Sequence, residues 1–219
     1  MTSTAPGSPE DAASNETNEE RLAKLEARLN VLEGREAIRE ILYRYARGAD
    51  RCDLALFKSC YWPDGTDVHW FFNGNAHEFA DYVIPLLAEI SNSQHSISNP
   101  IIDLHGDRAF VECQWYVVHH IPLEDGTDRY IDQQSEGRYL DVFENRGGEW
   151  RILHRQVVIE ATREFVVPNA YPGVPVEFPL FSRRAPHDLV YQGTALLDQQ
   201  IVPVPGQDLW GEARRRHTA

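Results

Sequence analysis

The chain is poor in sulfur: three cysteines and one methionine occur in 219 residues. Cys52, Cys60 and Cys113 are odd in number and show no Cys-x-x-Cys spacing, so neither a disulfide framework nor a thiolate zinc site is expected, and they read as small reduced core fillers. Positive charge is scarce as well. Lys plus Arg at 21 against Asp plus Glu at 34 gives a net charge of −13, which repels phosphate backbones and anionic lipid and makes nucleic acid and membrane unexpected partners. No apolar run approaches the ~20 residues of a membrane span. The first residues, Met1 to Asp11, lack the basic and apolar regions of a secretory leader, so a cytoplasmic protein is expected. The glycine fingerprints of nucleotide sites are missing, as is the Gly-x-Ser-x-Gly elbow of serine hydrolases. Asp50, His95 and His119 suit zinc or iron by ligand type, but no His-x-x-x-His spacing supports such a site, and the expectation is no metal and no cofactor.

What is present, 42% hydrophobic and 25% charged residues, fits one globular domain with tails. Residues 1–19, rich in Ser, Thr, Pro, Asn and Glu, are expected to be a disordered tail. Leu22, Leu25, Leu29 and Leu32 form one stripe on a helix over 20–33, which docks on its own domain or on a sister subunit. A second helix runs from Arg35 to about Arg51 with Ile38, Ile41, Leu42, Tyr45 and Ala49 inward. Asp53 caps a short helix carrying Leu54, Phe57 and Tyr61 that Pro63-Asp64-Gly65 ends. Thr66 to Phe72 reads as a strand with Asn73-Gly74 as its turn. Residues 77–90 read as a helix with Phe79, Tyr82, Val83, Leu86, Leu87 and Ile90 on one side and Pro85 kinking it.

The hydrophobic period then changes to two. Strands over about 94–104, 108–121, 130–145 and 149–160, joined by hairpin-type turns, predict an antiparallel meander. Helices first and a curved sheet afterwards make an α+β fold with a cone between the layers. This domain spans 20–162, and 163–219 reads as a Pro-rich but apolar extension that lids a pocket or wraps a neighbouring subunit.

The chemistry concentrates on His95 and Asp50. An imidazole with a carboxylate on its far nitrogen has a fixed tautomer and is strengthened as a base, able to take a proton from carbon or oxygen. Strand alternation places His95, Ile97, Asn99 and Ile101 on one face, and Val111, Cys113, Trp115, Val117 and His119 on one face of the next strand. Both faces are apolar with a few polar groups, as a small-molecule pocket requires. Asp50 closes its helix where the dipole disfavours negative charge, a placement against local preference. The alternatives are a core His95 bonded to a backbone carbonyl, and an Asp50 paired with Arg47 or Arg51. Tyr45, five residues before Asp50, can present its phenol to the same cavity. Tyr61, His69 and Tyr139 supply similar help or are simply core. His119 and His120 point to opposite faces, and the pattern puts His119 in the pocket.

Arg35 to Asp50, Trp62-Pro63-Asp64, Gln94-His95, Trp115-Tyr116, Gly137-Arg138-Tyr139-Leu140-Asp141 and Gly148-Glu149-Trp150-Arg151-Ile152 resemble, in order and spacing, the SnoaL-like branch of the nuclear-transport-factor-2-like fold over about residues 20–160. That group includes scytalone dehydratase, bile-acid 7-alpha-dehydratase and hexachlorocyclohexane dehydrochlorinase. The resemblance implies a cone-shaped, cystatin-like roll in trimers, and elimination by a His-Asp pair without metal or organic cofactor. It carries this role onto His95 and Asp50, with Tyr45 and His119 as auxiliary catalytic positions. The auxiliary Ser and Asn of scytalone dehydratase fall near Gly137 and Tyr139, and the Arg of the bile-acid enzyme near Ile159, so those roles are not retained. The expected function is a cofactor-independent lyase that expels water, halide or formaldehyde from a hydrophobic aromatic or polycyclic molecule in aromatic catabolism, with Tyr61, His69, Asn99, Trp115 and Tyr139 binding substrate. The alternatives are a ketosteroid-isomerase-like isomerase or cyclase, and a non-catalytic accessory subunit of a ring-hydroxylating dioxygenase.

Overall fold

The computed structural model describes residues 17–169 and 183–198. The expected disordered tail therefore lies outside the described residues up to position 16. Thr17 is already a helix cap: its hydroxyl accepts from the Glu20 amide while the Glu20 carboxylate accepts from the Thr17 amide, satisfying two otherwise orphaned donors. From there α1 (Asn18–Asp50) runs unbroken. The two helices expected over 20–33 and 35–51 are thus one. The glycine between them costs only about 1 kcal/mol in a helix interior. It also admits a close neighbour, because a Cβ on Gly34 would lie 3.4 Å from the Trp150 indole nitrogen.

The inward face of α1 is Ile38, Ile41, Leu42, Tyr45 and Ala49 as the period predicts. The stripe Leu22, Leu25, Leu29 and Leu32 is more than half exposed at every position, so docking on its own domain is not seen among the described residues. α2 (Leu54–Ser59) starts at Asp53, whose carboxylate accepts from the Leu56 amide.

Chain reversal then falls elsewhere than expected. β1 (Tyr61–His69) takes in Pro63, Asp64 and Gly65 instead of ending before them, and Trp70-Phe71 makes the turn into β2 (Phe72–Asn75). Asn73 and Gly74 pair with Val68 and Asp67 inside this hairpin, so the Asn-Gly turn signal is overridden by strand pairing. Asn75 caps α3 (Ala76–Glu89) by accepting from two amides. Tyr82 and Leu86 of that helix are exposed, and Ala80 and Ile84 are buried in their place. The stripe lies one position round from the expected one.

The four long strands are β3 (Asn92–His105), β4 (Arg108–Pro122), β5 (Arg129–Arg146) and β6 (Glu149–Pro168). They form the expected antiparallel meander, in the sheet order β2-β1-β6-β5-β4-β3. The sheet is mixed, because β1 pairs with β6 in parallel. β6 also passes the expected domain end at 162: Phe165, Val166 and Val167 pair with Asp132, Ile131 and Tyr130 of the equally long β5. Register shifts after Ser98 in β3 and at Glu136/Gly137 between β5 and β6 bend the sheet, and α1 and α3 cover the face it bends toward.

The described part of the C-terminal extension packs on its own domain. Arg184 donates to the carbonyls of Asp50, Leu87 and Ile90, and the Ala185 amide to that of Arg51. Tyr191 donates its hydroxyl to Asp53, and Asp188 pairs with Arg51 at 3.2 Å. These partners satisfy carbonyls at the ends of α1 and α3 that helix geometry leaves orphaned. Residues 170–182 and 199–219 lie outside the described set.

A charged group sits at the centre of the core. Arg155 of β6 is fully buried and grips Asp141 of β5, also fully buried, by two hydrogen bonds of 2.8 and 2.6 Å. Its guanidinium lies between the rings of Tyr45 and Tyr139, 4.1 and 3.8 Å from their centroids. Removing one member of such a pair leaves an uncompensated buried charge. Asp141→Ala is therefore expected to cost about 3–5 kcal/mol, read as a lower midpoint in urea. An Asp141→Leu/Arg155→Met double variant recovers most of that loss, and a single variant as stable as the parent would contradict this account.

Candidate active site

Between the sheet and the covering helices lies a cavity of about 370 Å³. That is the size of a small-molecule site. Its walls are Ala49, Phe57, Phe79, Val83, Leu87, Val117 and Val157, with Trp115 and Tyr139 stacked 5.7 Å apart. Polar groups are few: His69, His95, His119, Gln133, Ser135, Thr162 and Tyr45.

His95 reaches the cavity because β3 alternates, with Ser93 buried behind it and Ile97 beyond. Asp50 meets it from the end of α1. One Asp50 carboxylate oxygen is 2.7 Å from His95 Nδ1, and both oxygens accept the His95 amide at 2.9 and 3.0 Å. Ser93 Oγ adds longer contacts of 3.4 Å to Asp50 and 3.3 Å to Nδ1. The backbone amide and the Ser93 hydroxyl thus offset the poor placement of a carboxylate at a helix C-terminus. Arg184, bonded 2.5 Å from the Asp50 carbonyl, adds positive charge at the same end. With Nδ1 turned to Asp50, Nε2 is the ring nitrogen left for the cavity. Neither Arg47 nor Arg51 takes the Asp50 carboxylate: Arg47 donates to the Val190 carbonyl and Arg51 pairs with Asp188.

His119 stands beside this pair, its ring 5.9 Å from that of His95. Its Nε2 is buried with no hydrogen-bond partner among the described residues. Burial, and next the neighbouring His95, push its pKa down to about 4, against the pull of Gln133 and Asp50. His119 is therefore a neutral imidazole near pH 7. Tyr45 lines the inner end, its phenol pushed up to about 12 by burial although Arg155 draws it the other way. It stays a neutral hydroxyl.

Other expected site residues separate into two groups. His69, Trp115 and Tyr139 line the cavity, whereas Tyr61 and Asn99 do not. Tyr61 is fully buried behind the wall and donates its hydroxyl to Asp67 at 2.5 Å. Asn99 sits in the β3 bulge in the left-handed region, φ 52°, and donates to Gln114 on the exposed face. That bulge shifts the alternation by one residue, so Ile102 is buried and Ile101 exposed. His120 points away from the cavity side and contacts Asp132 at 2.5 Å. Gln133, Ser135 and Thr162 were not anticipated. Ser135 and Gln133 share a face with Tyr139 two and three strand repeats away, the signal that could have found them. Among the described residues no group of three or more His, Cys, Asp or Glu side chains is placed to hold a metal ion. No helix there is long and apolar enough to cross a membrane.

The His119 shift makes a stability prediction. Between pH 6.5 and about 4 the unfolded chain binds a proton that the folded ring refuses, so stability falls as pH drops through that window, by up to about 3 kcal/mol. His119→Gln removes this contribution. Urea denaturation at about pH 7 and about pH 4.5 reads it, the wild type losing more on acidification than the variant. Equal losses would refute the assignment.

The crystal structure of a hexachlorocyclohexane dehydrochlorinase, LinA type 2, is similar at 17% identity and a TM-score of 0.58, covering 67% of this chain and 99% of that one. The putative scytalone dehydratase of Novosphingobium aromaticivorans is similar at 17% identity and a TM-score of 0.55, covering 65% and 97%. The type 3 dehydrochlorinase of Novosphingobium barchaimii has 17% identity and a TM-score of 0.53, covering 67% and 98%. These likenesses are of fold. No curated protein matches the chain. The sequence model of the SnoaL-like domain matches residues 30–156, from the inward half of α1 into the β6 segment that carries Arg155, and on that match the chain belongs to the SnoaL-like domain family.

Proposed function

We propose that the protein is a cofactor-independent lyase that eliminates a small leaving group, such as water, halide or formaldehyde, from a hydrophobic ring-containing molecule. One observation carries the reading: an imidazole on an apolar cavity wall, with a carboxylate 2.7 Å from its Nδ1 and its Nε2 left for a ligand. In this reading His95 takes a proton from substrate carbon, Asp50 holds the ring and offsets the charge it gains, and neutral His119 and Tyr45 donate hydrogen bonds to substrate oxygen. Trp115 and Tyr139 offer stacking surface for a ring. The names dehydratase and dehydrochlorinase borne by similar structures accord with elimination. A small hydrophobic substrate and a homo-oligomer, a trimer by resemblance, belong to the same proposal.

An isomerase is the second reading. The neutral donors that His119 and Tyr45 provide suit an enolate as well as a leaving group, and the same base would then move a double bond. An accessory subunit finds less support, since Trp115 and Tyr139 leave the cavity open instead of filling it.

Phenolic and steroid-like alcohols incubated with the protein and read by mass spectrometry separate these readings: elimination gives products lighter by the leaving group, isomerisation conserves mass. On any substrate so found, His95→Ala is expected to lower turnover by about 10²–10⁴-fold. Near-normal turnover by that variant would reject His95 as the base.

A further inference from the structure

A second histidine of the cavity stands beside a buried acid. His69 closes β1 and lines the cavity, its ring stacked on Phe79 at 4.3 Å and 23°. Its Nδ1 lies 2.6 Å from Oδ1 of Asp67, two residues back on the same strand face. The contact is too bent to count as a hydrogen bond, and neither buried atom has another partner among the described residues. Asp67 is fully buried, and its second oxygen accepts the Tyr61 hydroxyl. Burying a carboxylate is costly unless it is paired, so a strand that buries one beside an imidazole invests in that imidazole. His120 and Asp132 form a pair of the same residue types, but on the sheet face turned from the cavity.

We propose that His69 is a second proton-transfer residue, which protonates the departing oxygen while His95 takes the proton from carbon. This rests on the lyase reading. Sheet order supports the division of labour: β3, with His95, is one edge, and β1, with His69, lies next to the other edge strand, so the two rings enter one cavity from opposite sides of a bent sheet. Asp67 beside Nδ1 provides the counter-charge for a ring protonated on both nitrogens, with Nε2 toward the substrate. In the step, the C–H bond breaks and its electron pair becomes the new C=C bond, the proton going to His95 Nε2. The C–O pair leaves with oxygen, which takes the proton of His69 Nε2 and departs as water. His95 ends with one proton more and His69 with one fewer, and exchange with solvent after product release restores both.

Two probes that yield the same enone test the assignment, 4-hydroxy-4-phenylbutan-2-one losing water and 4-chloro-4-phenylbutan-2-one losing chloride, which needs no proton to depart. Enone absorbance reads the rate. His69→Gln is expected to lower turnover of the hydroxyl probe by about 10²-fold or more, and of the chloro probe by less than about tenfold, whereas His95→Gln lowers both. Equal losses on both probes for His69→Gln, or none on the hydroxyl probe, overturn the proposal and leave the base assignment intact. No loss on either probe for His95→Gln overturns the lyase reading instead. A measurement without turnover stands beside this: in protein labelled with ¹⁵N-histidine, with 2-naphthol bound in the cavity, the Nε2 resonances of both His95 and His69 should shift. A shift of His95 alone overturns the role of His69.

Discussion

The buried guanidinium of Arg155 is the point on which the rest of the structure turns. It joins β6 to β5 through Asp141, lies against Tyr45 of α1 and Tyr139 of β5, and stands in register with Asp67 of β1. Four elements thereby meet at one cation. A charge so deep in the core is tolerated only when its hydrogen bonds and counter-charge come with it, so the geometry of those elements is specified together. Tyr45 and Tyr139, whose other sides face the cavity, are held in place by the same contact. The inner end of the site is thus part of the polar core, and ligand chemistry and stability share residues.

The opposite end of the cavity is organised by helix termini. Asp50 and Arg184 meet at the last turn of α1, where the backbone leaves carbonyls without partners and the dipole favours a cation. Arg184 takes carbonyls of α1 and α3 at once, and the carboxylate of Asp50 is then turned to the amide and ring of His95. The segment that supplies Arg184 follows β6 by some distance in sequence, and its described residues pack on their own domain.

Much of this was legible beforehand. The 3.6-residue period of α1 marks Ile38, Ile41, Leu42, Tyr45 and Ala49 as inward, and the change to a period of two marks the four long strands. Alternation puts Trp115, Val117 and His119 together and sends His120 away. The misreadings share a cause, competition between a local signal and a tertiary one. Asn73-Gly74 is a turn signal absorbed into a hairpin, Gly34 a helix breaker sheltered by Trp150, and Asn99 an alternation match displaced by a bulge. Asp67 and Arg155 passed unnoticed for a different reason. A charged residue in a strand looks solvent-facing until its partner on another strand is known.

By itself, the sequence determined the layer architecture, the bounds of β3, β4 and β5 to within two residues, and the residue types available for acid–base chemistry, because each follows from local periodicity and composition. Tertiary structure alone decided that β1 joins β6 in parallel, that Asp50 and His95, 45 residues apart, share a hydrogen bond, and that His69 looks into the same cavity as His95. Those outcomes depend on register and on bulges, and a single-residue slip in either turns every following side chain to the other face of the sheet.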